Sequence, residues 1–209
     1  MIQTSDIRKC SMMLGFCLAF VLGGQVTAQA ADTTPQASDT VDKAALAGEA
    51  RSITKSFAMG LKSELIGAMK SGGPVKAMGV CNLKAQDITA DASDKSGWRV
   101  ARTSAKLRNP ANAADDWELK VLEGFEKQMA AGADPKSLEF FEIATYDEQK
   151  SFRYMKAIPV GGPCVSCHGG ANVKPEVEAL ITELYPTDKA RGYTKGELRG
   201  AFSLAKAVE

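Results

Sequence analysis

From Ala44 the apolar positions recur at three- and four-residue intervals. Leu46, Ala50, Ile53, Phe57, Leu61 and Leu65 form one stripe, as an amphipathic helix requires. Ser71-Gly72-Gly73-Pro74 stops that helix, and Pro74 suits the first turn of a second one, where its missing N–H is not needed. Met78, Cys81, Ala85 and Ile88 share a face of this second helix, so Cys81 points the way the core residues point. The polar stretch "DASDKSG" (91–97) reads as a loop, and "WRVARTS" (98–104) alternates with the period of a strand. Residues 108–116 are rich in turn formers. A helix is predicted over 115–131, with Trp117, Val121, Phe125 and Met129 inward and Gly132 at its end. Three strand-like segments follow at 138–146, 151–160 and 196–208, the first two joined by the hairpin-length "DEQK". A short helix is predicted at 175–184. The order implies an α+β domain: one antiparallel sheet with helices packed on one side, preceded by long N-terminal helices.

The N-terminus changes the picture, because it sets the compartment. Arg8 and Lys9 precede the apolar run "SMMLGFCLAFVLGG", and Ala28-Gln29-Ala30 has the small-residue pattern of a cleavage site. The run is shorter than the ~20 apolar residues of a spanning helix. Residues 1–30 are therefore read as a signal peptide, with no membrane span after cleavage and a bacterial periplasmic location for the mature protein. In "LGFC" the bulky Phe16 precedes the cysteine, which argues against a lipoprotein. Residues 31–43 are polar and aperiodic, a flexible leader to a domain over 44–209. Of 26 basic and 25 acidic residues, the segment 1–30 holds Arg8, Lys9 and Asp6, leaving 24 of each. Such a balance has no bias toward nucleic acid or anionic membrane.

Cleavage also removes Cys10 and Cys17 and leaves Cys81, Cys164 and Cys167, an odd number for an oxidising compartment. Two of them stand in "GGPCVSCHGG" (161–170), whose His168 is the single histidine of the chain. C-x-x-C-H is the attachment pattern of c-type haem. Each thiol adds S–H across a haem vinyl group, and the adjacent imidazole becomes the proximal iron ligand. Gly161-Gly162 and Gly169-Gly170 would let the macrocycle lie close. A structural zinc site needs four ligands, and only Cys81 is left to join this motif. A redox dithiol expects the motif to open a helix after a βαβ strand, not to sit in a glycine loop. For the sixth ligand, Cys81, Met78, Met155 and an open position all stay in play. Arg102 and Arg108 are candidates for the haem propionates, against an ordinary role as solvated surface charge. Trp98 and Trp117 read as core anchors.

The stretches "AMGVCNLKA" (77–85), "WRVARTSAKLRNPANAADDWE" (98–118), "FFEIATY" (140–146), "FRYMKAIPVGGPCVSCHG" (152–169) and "YPTDKARGYTKGELRGAFS" (185–203) resemble the PAS-like monohaem c-type proteins. Related domains also serve as extracytoplasmic input modules of signalling proteins. The resemblance spans residues 44–206 and departs only in details such as Ala113-Ala114, where relatives often carry Ala-Pro. It implies a PAS-like sheet holding one covalent haem c on Cys164 and Cys167, with His168 proximal and Cys81 as the distal ligand. A His/thiolate pair would lower the potential, and release of the sulfur on reduction would turn electron transfer into a structural change. The expected function is redox or diatomic-gas sensing, with a low-potential electron carrier as the alternative. A sensing role calls for a separate signalling protein, and a carrier for a redox partner. An enzyme is not expected, since peroxidase chemistry wants a distal acid–base group and the one histidine is proximal.

Overall fold

The computed structural model describes residues 41–209. The export signal read at 1–30 and the leader up to residue 40 lie outside the described residues. Asp42 caps the first helix, its Oδ1 accepting from the N–H groups of Ala44 and Ala45 at 3.0 Å each. Helix α1 (Lys43–Gly79) is interrupted where a stop was expected. Gly72 is extended and Gly73 is left-handed (φ 68°), and the helix resumes at Pro74 without an intervening loop. A π-turn, Val80–Lys84, then joins α1 to α2 (Ala85–Ser96).

The expected loop at 91–97 is instead the end of α2, closed by Gly97 at φ 68°. Its polar composition reflects a solvated face, where Asp91 and Lys95 pair at 2.7 Å, one turn apart. Ser93 fixes the exit, its Oγ accepting from the Val100 N–H at 3.0 Å.

The strands β1 (Arg99–Thr103), β2 (Glu139–Tyr146), β3 (Gln149–Pro159) and β4 (Leu198–Ala207) form one antiparallel sheet in the order β1-β4-β3-β2. Tyr146 pairs with Gln149, so the β2–β3 hairpin turns on Asp147 and Glu148 alone, both at positive φ (50° and 62°). The remaining α-helices are α3 (Asp116–Ala130), the single turn α4 (Val165–His168) and α5 (Pro175–Leu184), with a 3-10 turn at Pro110–Asn112. The described residues belong to one compact unit, and no helix among them is long and apolar enough to cross a membrane.

The helices do not pack on one side of the sheet, as the pattern implied; they cover both faces. Phe152, Tyr154, Val100 and Leu204 meet Ala47, Ala50 and Phe57 of α1 on one face. On the other, Met155, Ala157 and Ala201 meet Val121, Leu122 and Phe125 of α3. The second face was hidden in the sequence by Arg153, which reads as solvent-facing. In the fold Arg153 is 2% exposed, paired with Asp115 at 2.7 Å and lying 4.0 Å from the Trp117 ring centroid. Asp115 in turn caps α3 in a capping box with Glu118.

At Gly200 the start of β4 crosses close over the end of β1. Gly200 has φ 155°, and a Cβ there would overlap the Thr103 carbonyl oxygen and sit 3.1 Å from Ser104 Cβ. Gly200→Ala is expected to destabilise the protein by about 2 kcal/mol or more, from strain and overpacking together. Chemical denaturation checks this; an unchanged midpoint would mean the two strands part freely here.

Candidate cofactor site

Helix α4 winds the cysteine–histidine motif into a single turn. The N–H groups of Cys167 and His168 both donate to the Cys164 carbonyl, at 3.1 and 2.9 Å. A spacing of three residues puts the two thiols on the same face of that turn. Of the four flanking glycines only Gly169 is demanded by the chain itself, because a Cβ there would run into the Val165 carbonyl. Gly162 and Gly170 face open space. The glycine at 169 therefore serves to close the turn, a reason independent of any bound group.

A second segment, residues 188–193, holds the motif from one side. Gly192 and Tyr193 donate their N–H groups to the carbonyls of Gly169 and His168, each at 2.9 Å. The Tyr193 ring stands edge-on to the imidazole, with centroids 6.3 Å apart. His168 Nδ1 lies 2.9 Å from the Ala190 carbonyl oxygen. A carbonyl can only accept, so Nδ1 carries the proton and Nε2 keeps its lone pair. Burial, with help from the Arg199 and Arg108 charges, holds the imidazole pKa down to about 3, so the ring is neutral.

Arg108 ties these pieces together. It is 7% exposed, and so not a solvated surface charge. Its Nε and Nη2 donate to the Asp188 carboxylate at 3.2 and 3.0 Å. Nη2 also reaches the carbonyls of Cys167 at 2.6 Å and Ala190 at 3.2 Å. The same Asp188 accepts from the Ala190 N–H at 2.9 Å and from Arg191 Nε at 2.6 Å. Arg108 thus braces the backbone of the motif and the carbonyl that orients His168.

Cys81 arrives from the helical side. It sits in the π-turn, where the Ala85 N–H bonds the Val80 carbonyl five residues back. The thiol is half-buried and near enough to Arg102, Arg108, Cys164 and Arg199 to feel their charge; burial pushes its pKa up and the arginines oppose this. Cys167, also pushed up by burial, feels Arg108, Cys81 and Cys164. All three cysteines are unpaired. The fold therefore brings Cys81, from a separate stretch of chain, within electrostatic reach of Cys164 and Cys167 beside His168.

The two candidate methionines part company here. Met78 packs with Val177, Ile181 and Tyr185, with Cys167 against the same cluster. Met155 belongs to the α3 side, among Val121 and Phe125. Arg102 lies on β1 in the same parity as Val100, on the face that α1 covers. Its Nε is buried without a partner, and so is that of Arg199. Neither Arg199 nor Tyr193 nor Asp188 stands out by residue type. The one signal in the sequence was their place in the distinctive run 185–203. A groove of about 510 Å³ between α3 and the start of β4 touches Arg199 and Tyr193 but none of the cysteines or His168, so it lies beside the cluster.

One solved structure matches this architecture. The crystal structure of the cyanobacterial heme-protein Tll0287 matches with a TM-score of 0.59 and 22% identity, over 77% of this chain and 96% of that one. At that identity the likeness speaks for the fold, an α+β, PAS-like sheet with a long N-terminal helix. No curated protein matches the chain. A family profile described as Tll0287-like matches residues 25–206. The match takes in every element of the cluster, and the chain belongs to the Tll0287-like family.

Proposed function

We propose that this protein carries one haem c, bound through thioethers to Cys164 and Cys167, with His168 as proximal ligand and Cys81 as distal ligand. The observation that carries this reading is the tautomer of His168. Its Nδ1–H is fixed on the Ala190 carbonyl at 2.9 Å, which leaves the Nε2 lone pair for a metal, beside two thiols on one face of a turn. Membership of the family that includes a heme-protein supports it. The unpartnered guanidinium nitrogens of Arg102 and Arg199 fit a group that brings carboxylates. Bound there, the haem supplies a one-electron couple between ferric and ferrous iron. The chain's own contribution is to hold the imidazole neutral and oriented, to present two thiols on one face of a turn, and to offer a third sulfur from a separate helical element. No group of three or more His, Cys, Asp or Glu among the described residues is arranged to hold a bare metal ion.

The role proposed is redox or diatomic-gas sensing in the periplasm, not enzymatic turnover. The alternative is a low-potential electron carrier. Cys81 is held in a π-turn between two α-helical segments, a local widening that helices use at functional sites. Partners would be a separate signalling protein, or a redox partner for the carrier.

Acid–acetone extraction is expected to leave the colour with the protein, and Cys167→Ala to leave at most one thioether. Haem that extracts freely from the wild type would overturn covalent attachment. Absorption spectra of both oxidation states, with and without carbon monoxide or nitric oxide, separate the two roles. Gas binding to the ferrous form alone supports sensing; a six-coordinate iron inert in both states supports the carrier. Mass spectrometry of the protein from a periplasmic extract tests export, the expected N-terminus being Ala31.

A further inference from the structure

We propose that Arg102 and Arg199 form a carboxylate clamp, one guanidinium for each of the two propionates of the group held by Cys164, Cys167 and His168. The proposal rests on the haem reading above and assigns two residues to it.

The balance of charge around the cluster points this way. Four arginines act on its thiols and imidazole: Arg102, Arg108, Arg191 and Arg199, of which Arg191 is paired with Asp188 at 2.6 Å. Arg108 is matched by Asp188 at 3.0 Å. Arg102 and Arg199 make no ion pair within 4.0 Å among the described residues, and each leaves a buried Nε without a partner. Elsewhere in the molecule a comparable arginine is satisfied. Arg153 also has an orphan Nε, but its guanidinium meets Asp115 at 2.7 Å and Glu118 at 3.7 Å. Burial lowers the pKa of Arg102 and of Arg199, the sign that the surroundings disfavour their charge as they stand. An uncompensated buried guanidinium is costly, and a fork of N–H donors matches a carboxylate in shape and charge. A group that brought two carboxylates to this cluster would supply both missing partners.

The two arginines are also placed as a pair. Among neighbouring charges, Arg102 acts most on Cys81, and Arg199 acts most on His168. They stand on the paired strands β1 and β4, where Arg102 is opposite Phe202 and Thr103 is opposite Ala201, two residues after Arg199. Arg199 is pre-positioned, its Nη1 donating to Ser104 Oγ at 2.9 Å and the Lys106 carbonyl at 3.2 Å. The strand crossing at Gly200 brings it there. A single thiolate at Cys81 could satisfy Arg102 but would leave Arg199 unexplained.

The test uses the intact haem-loaded protein and the variants Arg102→Leu, Arg199→Leu, Arg102→Lys and Arg199→Lys. A pyridine haemochrome assay first reports covalent haem in each. Resonance Raman then reads the propionate-bending bands, and redox titration the midpoint potential. Each Leu variant is expected to shift a propionate band and to lower the midpoint potential, because a cation beside the haem favours the less positive ferrous state. Each Lys variant is expected to keep the potential near the wild-type value while the band still shifts, since charge stays but the fork is lost. If the Leu variants do not accumulate, the Lys variants carry the same Raman test. Unmoved propionate bands in haem-loaded variants overturn the clamp alone. A change confined to the thiolate absorption bands in Arg102→Leu also overturns it, and makes Arg102 a partner of Cys81. Wild-type protein without covalent haem overturns both the clamp and the haem reading.

Discussion

Replacing Cys81 by alanine is expected to raise the midpoint potential by on the order of 100 mV or more, because an anionic donor that favours ferric iron is lost. Each 59 mV of a one-electron couple corresponds to about 1.4 kcal/mol of preference for one oxidation state. The ferric spectrum should move toward high spin, or to the signature of a weaker ligand. Met78→Ala is the control. Met78 is 1% exposed and packed against Val177 and Ile181, so its loss should cost packing and leave the spectrum nearly unchanged. Redox titration and absorption spectroscopy of both variants decide the matter. A silent Cys81→Ala beside an altered Met78→Ala would make this a His/Met cytochrome and take away the proposed trigger of sensing. Met155→Ala should alter stability alone, since Met155 belongs to the cluster on the α3 face.

Arg108→Ala is expected to have the largest effect on stability. It would leave Asp188, which is 2% exposed in its side chain, with Arg191 as its one remaining cation, and release the carbonyls of Cys167 and Ala190 together. Breaking a buried ion pair by removing one partner costs about 3–5 kcal/mol, and the lower end, about 3 kcal/mol, is expected here because Arg191 stays on Asp188. For a domain of this size that corresponds to a fall in melting temperature of on the order of 10 °C. Arg108→Lys should recover only part of the loss, because one ammonium cannot reach the carboxylate and both carbonyls at once. Thermal unfolding followed by circular dichroism checks both variants. A loss of less than about 1 kcal/mol in Arg108→Ala, the range of an exposed pair, would mean that the network does not brace the motif.

The haem pattern, the element order and the hairpin were legible because each is written locally. The hairpin at Asp147-Glu148 needs only two strands of alternating pattern and a short polar link. The helix over Asp116–Ala130 announces itself by its stripe and by the Asp115–Glu118 capping box. The end of α2 reads as a loop because its solvated face lacks the stripe that periodicity detects, although Gly97 marks its close. The second covered face of the sheet is hidden for a related reason. Arg153 is polar by type, and only the carboxylates of Asp115 and Glu118, more than thirty residues away, make its burial tolerable.

The site divides in the same way. C-x-x-C-H fixes two thiols and an imidazole within one turn, so the sequence by itself determines that much. It also supplies Cys81 as an inward-facing residue of a helix. Three things waited for the tertiary structure: which nitrogen of His168 is free, which arginine is scaffold, and which arginines lack a counter-charge. The Ala190 carbonyl lies 22 residues from His168, and Asp188 lies 80 residues from Arg108. Arg199 reaches Ser104 across 95 residues. Hydrogen bonds and charges act over a few ångströms of space, whatever the distance along the chain. A residue's type therefore states what it could bind, and only the fold decides which partners are within reach and which donors are left waiting.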